Sequence, residues 1–222
     1  MPTKGTSSKS KTVSKTKTKA KGSTKIDLYA KHKNEYVAGR MPAMVRVGPA
    51  KYLGIVGRSL PGADEFTRAV SAMYNVAFTV KMASKSVGKD YVVTKLEGLW
   101  WDDGTAGSSE PVGSRVWNWQ LLLRVPPFVT VKELREAIDS LVRRGKDDLV
   151  RQVQLAELTE GECVQILHIG PYTQEAESIG KMRDFAAKAG RTLKGKHHEI
   201  YLSDPRRVPP ERLRTILRQP VG

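Results

Sequence analysis

Chemistry is concentrated in three short runs of the chain. LEGLWWDDG (96–104) and VWNWQLLL (116–123) carry all four tryptophans, and HHEIYLSD (197–204) carries two histidines, an acid and a tyrosine within five positions. Side chains on a strand alternate between faces, so Trp117 and Trp119 share one face while Trp100 and Trp101 are split. Two or three indoles on one face make either a packed core or a wall on which a planar ligand stacks with little rotamer loss. The same alternation puts His197, Glu199 and Tyr201 on one face and His198, Ile200 and Leu202 on the other. Ile200 and Leu202 read as core, so the polar trio looks at solvent or into a cleft. An acid in an apolar cleft attracts cations or acts as a base, and a nearby phenol can donate to a developing oxyanion.

Other chemistries fit poorly. The histidines are His32, His168, His197 and His198, and neighbours in a strand point apart, so no metal site is expected. Cys163 is the lone cysteine and lies in an alternating apolar strand, which reads as packing and rules out an intrachain disulfide. Phosphate-loop and nucleophile-elbow patterns are both lacking.

The elements that position these residues follow from periodicity. VRV and KYLGIVGR flank Gly48-Pro49 as strand, turn and strand. Asp64 to Val80 repeats Phe66, Val70, Met73, Tyr74 and Ala77 on one helical face. Tyr91 to Trp101 and Trp117 to Val125 read as strands around the turn-rich DDGTAGSSEPVGS, and Val131 to Arg144 as an amphipathic helix. VQLAEL and ECVQILHIG flank Glu160-Gly161 as a hairpin, and Thr173 is a natural cap for a helix through Ala189. HHEIYLSDP is a strand, and Pro209-Pro210 opens a short C-terminal helix. The segment Ile26 to Met41 reads either as a short docking helix or as an extended lead-in. The two halves repeat the order strand, turn, strand, helix, strand. The expected fold is therefore α+β, two pseudo-symmetric antiparallel strand/helix modules with a ligand cleft between them.

The formal charge of +15 divides unevenly. Positions 1–25 hold eight lysines and no acid, whereas positions 26–222 hold 30 basic and 23 acidic residues. The first stretch has too little apolar surface to order itself and reads as a disordered Lys/Ser/Thr-rich tail. A tail of that charge supports loose, salt-sensitive contact with nucleic acid. It lacks the apolar stretch of a secretory signal, and no run in the chain reaches the roughly 18 apolar residues of a membrane span, so a cytoplasmic protein without membrane association is expected.

LEGLWWDDG, WNWQLLLRVPPFV, HIGPYTQE and KHHEIYLSDPRRVPPERLRTILRQPV together resemble the GyrI-like small-molecule-binding family. The resemblance covers Ala43 to Gly222 and does not extend to the tail. It implies one small-molecule-binding domain over 26–222, holding planar, often cationic compounds around a central glutamate, which Glu199 matches. The paired tryptophans and EIYLSDP resemble stand-alone members that hydrolyse cyclopropane-bearing, DNA-alkylating compounds. On that branch Glu199 orients or deprotonates water, Tyr201 or Tyr172 (with Tyr91 third) bonds the oxygen that gains charge, and Trp100 or Trp101 with Trp119 stacks the ligand. His168 is a weaker ligand-binding candidate against a structural role. The resemblance implies no cofactor. It leaves open a hydrolase, a non-catalytic receptor or scavenger, and a protein-binding module whose tail lies near nucleic acid.

Overall fold

The computed structural model describes Met1, 25–102 and 116–222. The tail, apart from Met1 and Lys25, and the turn-rich stretch after Trp101, apart from Asp102, therefore fall outside the described residues. Two one-turn helices, α1 (Leu28–Lys31) and α2 (Lys33–Tyr36), open the chain and bury Leu28 and Tyr36. The lead-in is thus a docking segment. Next come β1 (Ala43–Val47), β2 (Ala50–Ser59), α3 (Asp64–Ser86), β3 (Glu97–Trp101) and β4 (Trp117–Arg124), then α4 (Val131–Arg143), β5 (Gln154–Leu158), β6 (Gly161–Ile169), α5 (Glu175–Lys188), β7 (His197–Tyr201) and β8 (Arg214–Pro220).

Local chemistry explains the boundaries. Asp64 and Glu65 sit in the first turn of α3, where carboxylates favour the positive end of the helix dipole. Thr130 and Glu133 form a reciprocal capping box on α4. Leu134, Ala137 and Leu141 of α4 and Ala69, Met73, Val76 and Val80 of α3 join the inward row of β4, Trp117, Trp119, Leu121 and Leu123, in the largest core. A smaller core under α5 gathers Met182, Ala186, Val164 and Leu217.

The eight antiparallel strands run β1-β6-β8-β7-β3-β4-β2-β5. Exchanging β1 with β5, β2 with β6, β3 with β7 and β4 with β8 reverses this order onto itself. The two repeated modules therefore meet at the central pair β3 and β7, as the internal repeat predicts.

Two local expectations are corrected. The strands on either side of Gly48-Pro49, and those on either side of Glu160-Gly161, do not form hairpins. Instead β1 pairs with β6 and β2 with β5, so each module lends its first strand to the other. Two-residue hairpin turns require a positive φ at their first central position, and neither Gly48 nor Glu160 has one. Glu160 is instead drawn inward, one oxygen 2.9 Å from His198 Nδ1 and the other 2.9 Å from Arg218 Nη1. The expected C-terminal helix is a single 3-10 turn at Pro210–Arg212 followed by β8. Thr215, Ile216, Leu217 and Arg218 are buried on both faces there, and strand pairing with β6 and β7 overrides the helical start signal of the prolines.

Candidate active site at the centre of the sheet

β3 and β7 pair with Gly98 opposite Glu199 and Trp100 opposite His197. Directly paired residues project to the same face. Trp100, His197, Glu199 and, by alternation, Tyr201 therefore share the face that carries α3 and α5.

The trio expected to face solvent or a cleft is largely buried, with Glu199 only 2% exposed. The Trp100 indole N–H donates to the Tyr201 hydroxyl at 3.0 Å, which sets that hydroxyl beside Glu199, where it favours the charged carboxylate. Gly98 makes room for this chain, since a Cβ there would lie 2.8 Å from Tyr201 Oη and 3.0 Å from Trp100 Nε1. The first residue of α5, Glu175, completes the group, and Tyr172, in the 3-10 turn before it, meets Tyr201 edge-on at 6.0 Å.

Burial governs the protonation of these groups. It raises Glu199 to about 7, against the opposing pull of its Tyr201 bond and of His198. Glu175 is pushed well above the usual carboxylate range by burial and then by Glu199. Burial and the Glu199 charge also raise both Tyr172 and Tyr201, so the two phenols keep their protons and act as donors. Burial lowers His197 to about 4, which leaves it a neutral imidazole.

The structure thus brings Glu199, Tyr201, Tyr172 and Trp100 together. Trp119 shares their face, but it is seated over Gly57, its indole N–H donates to Ser59 Oγ at 3.0 Å, and Phe66 meets it edge-on. Phe66 also stacks on Trp100 at 5.4 Å, so that indole face is filled by the protein's own ring. Trp101 points to the opposite face, where Lys196 Nζ lies 3.4 Å from its ring centre. Tyr91 packs edge-on against Phe128. His168 takes the structural role, with Nδ1 3.0 Å from Ser178 Oγ and Nε2 3.2 Å from Pro171 O, which fixes the turn that carries Tyr172. Cys163 is fully buried and its thiol is pushed up to about 12, as expected of a packing residue.

Sequence reasoning missed two features. Glu175 stands inside HIGPYTQE, but an acid in the first turn of a helix is ordinary, and nothing local marks it as a neighbour of Glu199. The second lies on the opposite face of β7. There His198 Nε2 is 3.0 Å from Glu97 and Nδ1 is 2.9 Å from Glu160. Tyr36 donates to Glu97 at 2.9 Å, and Arg124 pairs with Glu35 at 2.5 Å. Burial alone would lower His198, but the two carboxylates outweigh it and raise it to about 9. This ionic layer under the lead-in fixes β7 from behind, so Glu199 is held by backbone as well as by Tyr201.

Comparisons with known proteins bear on the fold and the family. A GyrI-like small molecule binding domain matches residues 128–221. A crystal structure of a hydrolase from Listeria innocua is 35% identical, with a TM-score of 0.79, over 89% of this chain and 100% of that one. An uncharacterized conserved protein from the same organism is 36% identical, with a TM-score of 0.80 and the same coverage. The EcmrR C-terminal domain is 12% identical, with a TM-score of 0.52 over 82% of this chain and 97% of that one, a likeness of fold alone. No curated protein matches the chain. Among the described residues no helix is long and apolar enough to cross a membrane. The identity to the two Listeria chains over their full length, together with the domain match, shows that the chain belongs to the GyrI-like small-molecule-binding family.

Proposed function

We propose that the protein binds a planar, electrophilic small molecule beside Trp100 and hydrolyses it, with a strained cyclopropane conjugated to a carbonyl as the substrate class. The observation that carries this reading is Glu199 Oε1, buried and without a hydrogen-bond partner beside the Tyr201 hydroxyl that Trp100 anchors. A buried carboxylate with an unpartnered oxygen is placed to accept a proton from water. The water oxygen bonds to the cyclopropane carbon, the strained C–C bond breaks, and its electron pair passes through the conjugated ring to the carbonyl oxygen. Glu199 receives the water proton and releases it to solvent while the oxygen anion takes up one proton, so Glu199 is restored and the product is the substrate plus one water. Tyr201 lies beside Glu199 and favours its charged form, so Tyr172 is the donor to the oxygen that gains charge. Entry of the ring requires Phe66 to leave its stack on Trp100. The description of the 35% identical Listeria protein as a hydrolase supports a catalytic reading.

A second reading, a non-catalytic receptor for planar cations, is favoured by the two buried carboxyls, Glu175 and Glu199, which act on each other. The two readings separate when a cyclopropane-bearing, duocarmycin-type compound is incubated with the protein and followed by mass and absorbance. Addition of one water supports the hydrolase; unchanged compound bound with quenched tryptophan fluorescence supports the receptor.

A further inference from the structure

Glu175, His197 and Glu199 each offer a ligand atom, and these atoms lie within 4.8 Å of one another. His197 Nε2 and Glu199 Oε1 are 3.7 Å apart, too far for a hydrogen bond. Both oxygens of Glu175, Nε2 of His197 and Oε1 of Glu199 are buried and have no hydrogen-bond partner. Buried polar atoms are nearly always satisfied, so unpartnered atoms on three adjoining side chains indicate a missing partner.

The imidazole tautomer sharpens the case. Burial keeps His197 neutral, and a neutral imidazole carries a lone pair on one ring nitrogen. His197 Nε2, which has no protein partner, is the nitrogen that faces the two carboxyls. The nearby cation, His198, projects to the other face and is engaged by Glu97 and Glu160.

We propose that Glu175, His197 and Glu199 form a binding site for a divalent transition-metal ion of the zinc class. An ion bound at about 2.0–2.2 Å from each donor places tetrahedral ligands roughly 3.4 Å apart, close to the His197 to Glu199 separation. One imidazole with two carboxylates suits zinc and its neighbours better than calcium or magnesium, which favour oxygen donors alone. Three protein ligands leave a further position open for water or another ligand. The metal and a free, water-activating Glu199 exclude each other, so the ion is an antagonist of the activity proposed above. The site itself rests on the three donors and not on that activity.

The test uses the full chain, stripped with chelator, and no organic substrate. Zinc is titrated against a chromophoric chelator for wild type, Glu175→Gln and His197→Gln, and cobalt(II) is added separately to wild type. The expected results are one zinc per chain, affinity weakened by more than about tenfold in each variant, and visible d–d bands without thiolate charge transfer. Absence of saturable zinc binding, equal affinity in variants and wild type, or a thiolate band would overturn the site. Should a variant fail to fold, the cobalt spectrum of wild type decides. Hydrolysis of the cyclopropane compound by metal-free protein is read separately, so the two proposals fail independently.

Discussion

The indole N–H of Trp100 on β3 donates to the hydroxyl of Tyr201 on β7 at 3.0 Å, joining the two modules at their shared strand pair. This bond uses the hydroxyl's acceptor side and leaves its proton available beside Glu199. Tyr201→Phe removes this bond and the hydroxyl beside Glu199 with little change in shape. It is expected to lower turnover by about 10²–10³-fold with a smaller change in ligand affinity, which steady-state kinetics would show as a fall in kcat. A fall confined to KM would place Tyr201 in binding instead.

Gly98→Ala tests the same contact without touching a polar group. The new Cβ would meet Tyr201 Oη at 2.8 Å, so the Tyr201 and Trp100 rings must separate. Destabilisation of about 1–3 kcal/mol and loss of turnover are expected in denaturant unfolding and activity assays.

Glu175 is a buried acid without a protein partner, and its carboxyl is raised by burial. A raised carboxyl destabilises the fold as pH climbs above the unfolded-state value, because the folded state holds its proton longer. Glu175→Gln removes that penalty, so metal-free variant should melt above wild type at pH 8 and converge with it at pH 4. A lower melting temperature at pH 8 would contradict this.

On the opposite face the signs reverse. His198 is raised to about 9, so its stabilisation is complete below the ordinary histidine value near 6.5 and is lost as pH rises through about 9. Glu160 is lowered to about 2, burial being outweighed by His198 and Arg218, so its contribution is present above about 4.5 and is lost as pH falls toward 2. His198→Gln is expected to flatten the alkaline limb of a stability-versus-pH profile measured by urea unfolding.

Much of this arrangement was legible in the residues. The stripe of α4, the inward row Trp117, Trp119, Leu121 and Leu123, and the shared face of His197, Glu199 and Tyr201 all follow from side-chain period. Pairing partners were not legible, because Gly48-Pro49 reads as a turn whether or not the strands beside it bond to each other. Glu175 was hidden for a related reason, since its proximity to Glu199 depends on how α5 docks on β7, a long-range property absent from local spacing. The depth of burial of Trp100 was hidden as well, because Phe66 reaches it from α3 across the sheet.

The most direct test of the central claim compares wild type with Glu199→Gln, both metal-free, on a cyclopropane-bearing planar compound, scoring the mass of the product and tryptophan quenching together. The account predicts a product heavier by one water from wild type, none above background from Glu199→Gln, and quenching with both. Equal turnover by the two proteins would contradict the assignment of Glu199 as the group that activates water.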